Sequence, residues 1–200
     1  MSDVTTVALI GVGGQGILLA EAIIAETASA AGLHVKASEV HGMAQRGGSV
    51  VSTVRFGEKV FSPVSPHHAD VVIATELLEG HRGLGLLRPG GVLVCAATTR
   101  IAPGSVLRGD EEYPADLEGA AAARGVRLVA VDAEGLAREA GTTKAVNVAL
   151  LGAASAVLPF DAAAWERGLA SAVPAKILAV NERAFALGRD AVSGGATPVA

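Results

Sequence analysis

Ala8-Leu9-Ile10-Gly11-Val12-Gly13-Gly14-Gln15-Gly16 is the stretch on which the fold turns. The apolar run Val7–Ile10 stops at a glycine and reads as a buried parallel strand. From Gln15 to Ala31 helix formers follow, with Ile17, Leu18, Ile23, Ile24 and Ala28 on a broad apolar face and Glu21 and Glu26 on the polar side. Gly32 supplies a stop. Val35 to Val40 reads as a second strand. Strand, glycine turn, helix and strand make a βαβ unit, whose crossover is expected to be right-handed.

The turn Gly11–Gly16 fits G-x-G-x-x-G between a strand and a helix. In that fingerprint Gly11 allows the tight turn, Gly13 lets a phosphate approach the backbone, and Gly16 lets the helix pack on the strand. Unpaired N–H groups and a partial positive charge stand at such a helix start. Two readings remain open: a nucleotide cradle, with Glu39 near where an acid is wanted, or glycines kept for close packing.

Ser38-Glu39-Val40-His41-Gly42-Met43-Ala44-Gln45-Arg46-Gly47-Gly48-Ser49 is the densest polar cluster. It is read as leaving the C-terminal end of a central strand beside the glycine turn, the edge where open α/β sheets bind ligands and partners. Arg46 offers a bidentate fork for a carboxylate or phosphate. An Arg–Glu pair holding the loop is the plainer reading.

Further on, Ser49–Phe56 reads as a strand, with Gly57-Glu58 turning into a hairpin strand at Val60-Phe61, and Ser62–His68 as a loop. Asp70–Ala74 and Val92–Ala96 read as buried strands around a helix, Leu77–Leu87, that Pro89-Gly90-Gly91 closes. Pro103–Pro114 is irregular, Ala115–Arg124 helical and Arg127–Val131 a strand. Helices are expected over Ala133–Ala140, Ala145–Leu158, Asp161–Ala172 and Ala175–Arg189. The expectation is one α/β domain over residues 1–192, Rossmann-like and three-layered, with a mainly parallel sheet and a helical C-terminal segment. The tail 193–200 is expected to be disordered.

Composition narrows the classes. The 200 residues are 50% hydrophobic and only 18% charged, with 25 glycines. Such a chain packs backbone close to backbone and leaves surface for a partner to cover. A net charge of −4 without a basic stripe argues against nucleic acid. Val7–Ala25 and Ala145–Leu158 are too interrupted to span a membrane, and Met1-Ser2-Asp3 lacks a signal peptide's basic start. The single cysteine, Cys95, lies in an apolar strand, reads as a buried hydrophobe, and suits a reducing cytoplasm. One thiolate does not hold an iron–sulfur cluster, which takes about four. His67-His68 reads as a solvated loop rather than a metal site, Asp110-Glu111-Glu112 as an acidic turn, and Thr142-Thr143-Lys144 as a helix cap. Ser49 and Ser52 show no nucleophile elbow.

The glycine turn together with Val40-His41-Gly42-Met43-Ala44-Gln45-Arg46-Gly47-Gly48 resembles the gamma-type domain of the pyruvate/2-oxoacid:ferredoxin oxidoreductases, and the second stretch is most similar to the small subunit of the indolepyruvate type. Phe56-Gly57, Val60-Phe61-Ser62-Pro63, Asp70-Val71-Val72 and Val146–Gly152 extend the likeness. The resemblance implies a subunit of a complex that decarboxylates a 2-oxoacid oxidatively, with coenzyme A as co-substrate and ferredoxin as electron acceptor. It places thiamine diphosphate and the iron–sulfur clusters in a large catalytic partner subunit, and suggests pairing of two such heterodimers. It carries no catalytic residue to this chain. Gly11, Gly13, Gly14, Gln15, Gly16, Glu39, His41, Gln45, Arg46, Gly47 and Gly48 are the candidates for meeting ligand or partner. Two other classes stay open: a self-sufficient NAD(P)-binding oxidoreductase, against which stands the lack of a Tyr-x-x-x-Lys pair, and a scaffold module without chemistry.

Overall fold

The computed structural model describes residues 4–40, 48–63, 68–110 and 112–193. Strand β1 (Val4–Val12) runs into the glycine turn and helix α1 (Ile17–Ala30), followed by β2 (His34–Val40) and β3 (Ser49–Gly57). Then come β4 (Ala69–Ala74), α2 (Leu77–Gly83), β5 (Leu87–Cys95), a short α3 (Gly104–Leu107), α4 (Leu117–Ala123) and β6 (Arg127–Ala130). The described residues end in four helices: α5 (Ala133–Ala140), α6 (Val146–Ala154), α7 (Ala162–Ala172) and α8 (Ala175–Ser193).

The six strands lie in the order β2-β3-β1-β4-β5-β6. β1, β4, β5 and β6 pair in parallel, whereas β3 is antiparallel to both β1 and β2. The period-two alternation of the central strands explains why both faces are covered. Val7, Leu9, Val71, Ile73 and Val94 face α1, α6, α7 and α8, while Ala8, Ile10, Val72, Leu93 and Cys95 face α2 and α4. The α/β fold with a mainly parallel sheet is therefore as expected, and α5 has the expected bounds.

Three local expectations are corrected. The strand after α1 does not neighbour β1: β3 is inserted between them, so β2 is an edge strand and not a central one. Its polar pattern agrees, since His34 and Lys36 are exposed, and an edge lysine discourages further pairing. No hairpin strand forms at Val60-Phe61. β3 already has a neighbour on each side, so no free ladder is left; Val60 tucks inward, Phe61 is 89% exposed, and the Arg55 guanidinium donates to the Ser62 carbonyl (2.7 Å) instead. Finally, α2 stops at Gly83, a short 3-10 turn follows, and Pro89-Gly90 lie within β5, which starts at Leu87, rather than closing a helix. A register shift beside Asp70 accommodates them, and Asp70 is held by the Thr6 N–H (2.8 Å) and Arg88 Nε (2.6 Å). The 103–114 connection contains α3, and α8 continues to Ser193. The remainder of the expected tail lies outside the described residues.

Cys95 is fully buried beneath α2, with its Sγ–H directed at the Glu76 carbonyl (3.6 Å). Burial, reinforced by the Glu76 carboxylate, raises its thiol pKa far above the ordinary range. Alkylation by iodoacetamide is expected to run more than about a hundredfold slower in the native chain than in denaturant, because only the thiolate attacks. Comparable rates, followed by intact-mass spectrometry, would contradict this burial.

Candidate functional site

The C-terminal edge of the parallel strands gathers the polar connections. Val12 ends β1, Ala74 ends β4, Cys95 ends β5, and the antiparallel β3 starts at Ser49 on the same edge, paired with Val12. The glycine turn closes on itself there. Its Gln15 N–H donates to the Val12 carbonyl (3.1 Å), and the Gln15 Oε1 accepts from the Val12 N–H (2.7 Å) and from Thr75 Oγ1 (2.6 Å). Gln15 Nε2 returns a bond to the Thr75 carbonyl (3.2 Å), so one amide joins the ends of β1 and β4. Gln15 thus spends its polar groups inside the protein.

Gly14 (φ 104°) and Gly16 (φ 75°) adopt the left-handed backbone that glycine tolerates. Gly16 is also the N-cap of α1 and lacks a side chain to cap with. Asn147, 4% exposed at the start of α6, donates through Nδ2 to the Gly16 carbonyl (2.9 Å) and occupies the space a Cβ on Gly16 would need. The expected packing role of Gly16 is met against α6 rather than a strand. Gly11 does not form the tight turn: it lies within β1, opposite Val50 and close against Thr75.

The Gly13 N–H donates to the Gly48 carbonyl (3.0 Å), joining the turn to the residue that precedes β3. Next to it, Ser49 Oγ donates to Glu79 Oε2 (2.5 Å), and Arg82 Nη1 meets Glu79 Oε1 at 2.6 Å. Glu79 is 1% exposed and Glu76 is 0% exposed. The Glu76 carboxylate caps α2 by accepting the Glu79 N–H, and also accepts the Tyr113 hydroxyl and, at 3.4 Å, the Ile101 N–H. Burial first, and then this hydrogen bond to a carboxylate, push the Tyr113 pKa up, so the phenol stays protonated at neutral pH. Burial likewise lowers the His81 pKa, partly offset by the nearby Asp116 and Glu76 carboxylates.

Of the candidate residues, Gly11, Gly13, Gly14, Gln15, Gly16 and Gly48 are thus brought to one edge. Glu39 stands near the end of the edge strand, its backbone opposite Ser52 of β3. His41, Gln45, Arg46 and Gly47 lie outside the described residues. Thr75, Glu76, Glu79, Tyr113 and Asn147 were not among the candidates. The one signal for Asn147 is a polar residue inside the apolar run Val146–Leu151; for the acids it is two carboxylates just beyond a buried strand. Thr142 does cap the turn before α6, accepting from the Lys144 N–H (3.2 Å).

Among the described residues, no three His, Cys, Asp or Glu side chains stand close enough to hold a metal ion, so this donor set does not fit an iron–sulfur cluster. No helix among them is long and apolar enough to cross a membrane.

The family described as pyruvate ferredoxin/flavodoxin oxidoreductase matches residues 6–191. The chain is 40% identical over 188 residues to the indolepyruvate oxidoreductase subunit IorB of Thermococcus kodakarensis, covering 91% of this chain and 93% of that one. It superposes on the gamma subunit of a keto/oxoacid ferredoxin oxidoreductase from Geobacter sulfurreducens with a TM-score of 0.72 at 25% identity, covering 94% and 99% of the two chains. The same fold recurs within the 2-oxoglutarate:ferredoxin oxidoreductase of Magnetococcus marinus (TM-score 0.75, 21% identity), where 98% of this chain covers 32% of the larger polypeptide.

Proposed function

The chain belongs to the pyruvate ferredoxin/flavodoxin oxidoreductase family, and from that premise we propose that it is the small subunit of a thiamine-diphosphate-dependent arylpyruvate:ferredoxin oxidoreductase. In this reading it serves as a wall of the partner's site and performs no bond-breaking step itself. The overall reaction converts a 2-oxoacid and coenzyme A to an acyl-CoA and carbon dioxide, passing two electrons to ferredoxin. Thiamine diphosphate and the clusters, held by the large subunit, supply the decarboxylation and the electron path.

The observation that carries this reading is the closure of the glycine turn. The Gly13 and Gln15 amides, which a pyrophosphate would recruit, are bonded to Gly48 and Val12, and the Gln15 side chain is bonded to Val12 and Thr75. A turn so occupied offers a rigid, preformed surface rather than an open dinucleotide cradle, and preorganised walls are what a shared site asks of a second chain. The aryl preference rests on the 40% identity to an indolepyruvate oxidoreductase subunit.

Anaerobic co-expression with the large subunit tests it. The expected result is a stable complex in which coenzyme-A-dependent oxidation of arylpyruvates requires this chain. A chain that stays alone and binds NAD(H) with micromolar affinity by calorimetry would refute the reading.

A further inference from the structure

Glu79 is a carboxylate placed where burial is costly. It is 1% exposed, and a buried ion is tolerated only where its partners are well placed. Its two oxygens are divided between elements: Oε1 takes Arg82 of its own helix (2.6 Å), and Oε2 takes the hydroxyl of Ser49, the first residue of β3 (2.5 Å). One residue earlier, the Gly48 carbonyl accepts the Gly13 N–H of the glycine turn (3.0 Å). Behind Glu79, its own N–H is fixed by the fully buried Glu76, which Tyr113 holds in turn. Hydrogen bonds linked through the Glu79 and Ser49 backbones thus lead from Tyr113 by way of α2 to the Gly48–Gly13 junction. Leucine at position 79 would fill the volume without the desolvation cost, but would not fix where β3 begins.

We infer that Glu79 is a positioning residue of the candidate site: through Ser49 it sets the Gly48–Gly13 junction, and with it the shape of the edge offered to the large subunit. This deepens the proposed function and rests on it as far as turnover is concerned. Glu79 touches neither substrate nor cofactor in this account, and it acts through the serine hydroxyl.

Two measurements decide it. In the full chain, the Gly13 amide exchange rate, read by NMR, is expected to rise about tenfold in Ser49→Ala, the effect of losing one charge-assisted hydrogen bond behind it. Ser49→Thr, which restores a hydroxyl, should return it to within about twofold. Glu79→Ala, which also removes the Arg82 bond, should raise the exchange at least as much as Ser49→Ala, and the double variant should add nothing beyond Glu79→Ala, because the Ser49–Glu79 bond is already gone. In the assembled complex, Ser49→Ala should lower kcat about tenfold with little change in KM, again rescued by Ser49→Thr. Unchanged Gly13 exchange in Ser49→Ala overturns the inference, as does additivity in the double variant. So does a complex that melts earlier yet keeps its kcat, for that is a structural role only. Should the wild-type chain fail to join or activate the large subunit, the proposed function falls by itself, and the Gly13 exchange still decides whether Glu79 sets the junction.

Discussion

Gly188→Ala is expected to cost about 3–5 kcal/mol, the upper range for a single substitution, and to lower the melting temperature of this 200-residue chain by about 10 °C. The cause is backbone against backbone. A Cβ on Gly188 of α8 would stand 1.8 Å from the Ala149 carbonyl oxygen and 3.1 Å from the Ala153 nitrogen, both in α6. The contact is reciprocal, since a Cβ on Gly152 of α6 would meet the Phe185 carbonyl oxygen at 2.0 Å. No rotamer relieves such a clash, so the helices must part, and the apolar layer around Leu150, Leu151 and Phe185 opens with them. The damage should also reach the candidate site. Asn147 lies on α6 and holds the Gly16 carbonyl, so displacing α6 loosens the start of α1. Weakened binding to the large subunit is expected alongside the lower melting temperature. Gly85→Ala is the control, because a Cβ there meets nothing within 4 Å. A Gly188→Ala chain melting within about 2 °C of wild type would show that the helix crossing is looser than described.

The parts of this fold that were legible in the sequence are those written in local periodicity and punctuation. Val7–Ile10 before a glycine, the apolar stripe of α1, and the Asp132-to-Gly141 frame of α5 each carry their own start and stop. Strand order is a different kind of information. Ser49–Gly57 reads as a strand by composition, but its insertion between β1 and β2 depends on pairing Val4 with Gly57 across the whole βαβ unit. No local pattern encodes that, and the expected hairpin at Val60-Phe61 failed because a strand with two neighbours has no edge left. The candidate site divides in the same way. The glycine turn is a motif, hence visible. Its fastenings are distant: Gln15 meets Thr75 across 60 positions, and Asn147 meets Gly16 across 131. Nothing local to Glu76 and Glu79 in the sequence marks them as buried. Only the enclosure of α2 among β4, β5 and the Tyr113 connection makes them buried carboxylates whose partners are obligatory.

Gly11→Ala is expected to break the packing of the turn against Thr75, at a cost that Thr75→Ala relieves. A Cβ on Gly11 would lie 2.0 Å from Thr75 Oγ1, 2.8 Å from Ile17 Cδ1 and 3.2 Å from Gln15 Oε1. The tightest of these contacts is with the hydroxyl that Thr75 donates to Gln15 (2.6 Å), so the substitution should break the link between β1 and β4 at its centre. Overpacking of this kind costs about 2–3 kcal/mol. Thr75→Ala alone removes one hydrogen bond and should cost about 1 kcal/mol. Together they should cost less than their sum by at least about 1 kcal/mol, because the second change vacates the space that the first one fills. Ile17 can then turn aside, since its Cδ1 is the end of a flexible side chain. The double variant should recover assembly with the large subunit better than Gly11→Ala alone, because Gln15 keeps its bonds to the Val12 N–H and the Thr75 carbonyl. Urea titration of the three variants gives the coupling. Strict additivity would mean that Thr75 is not what excludes a side chain at position 11.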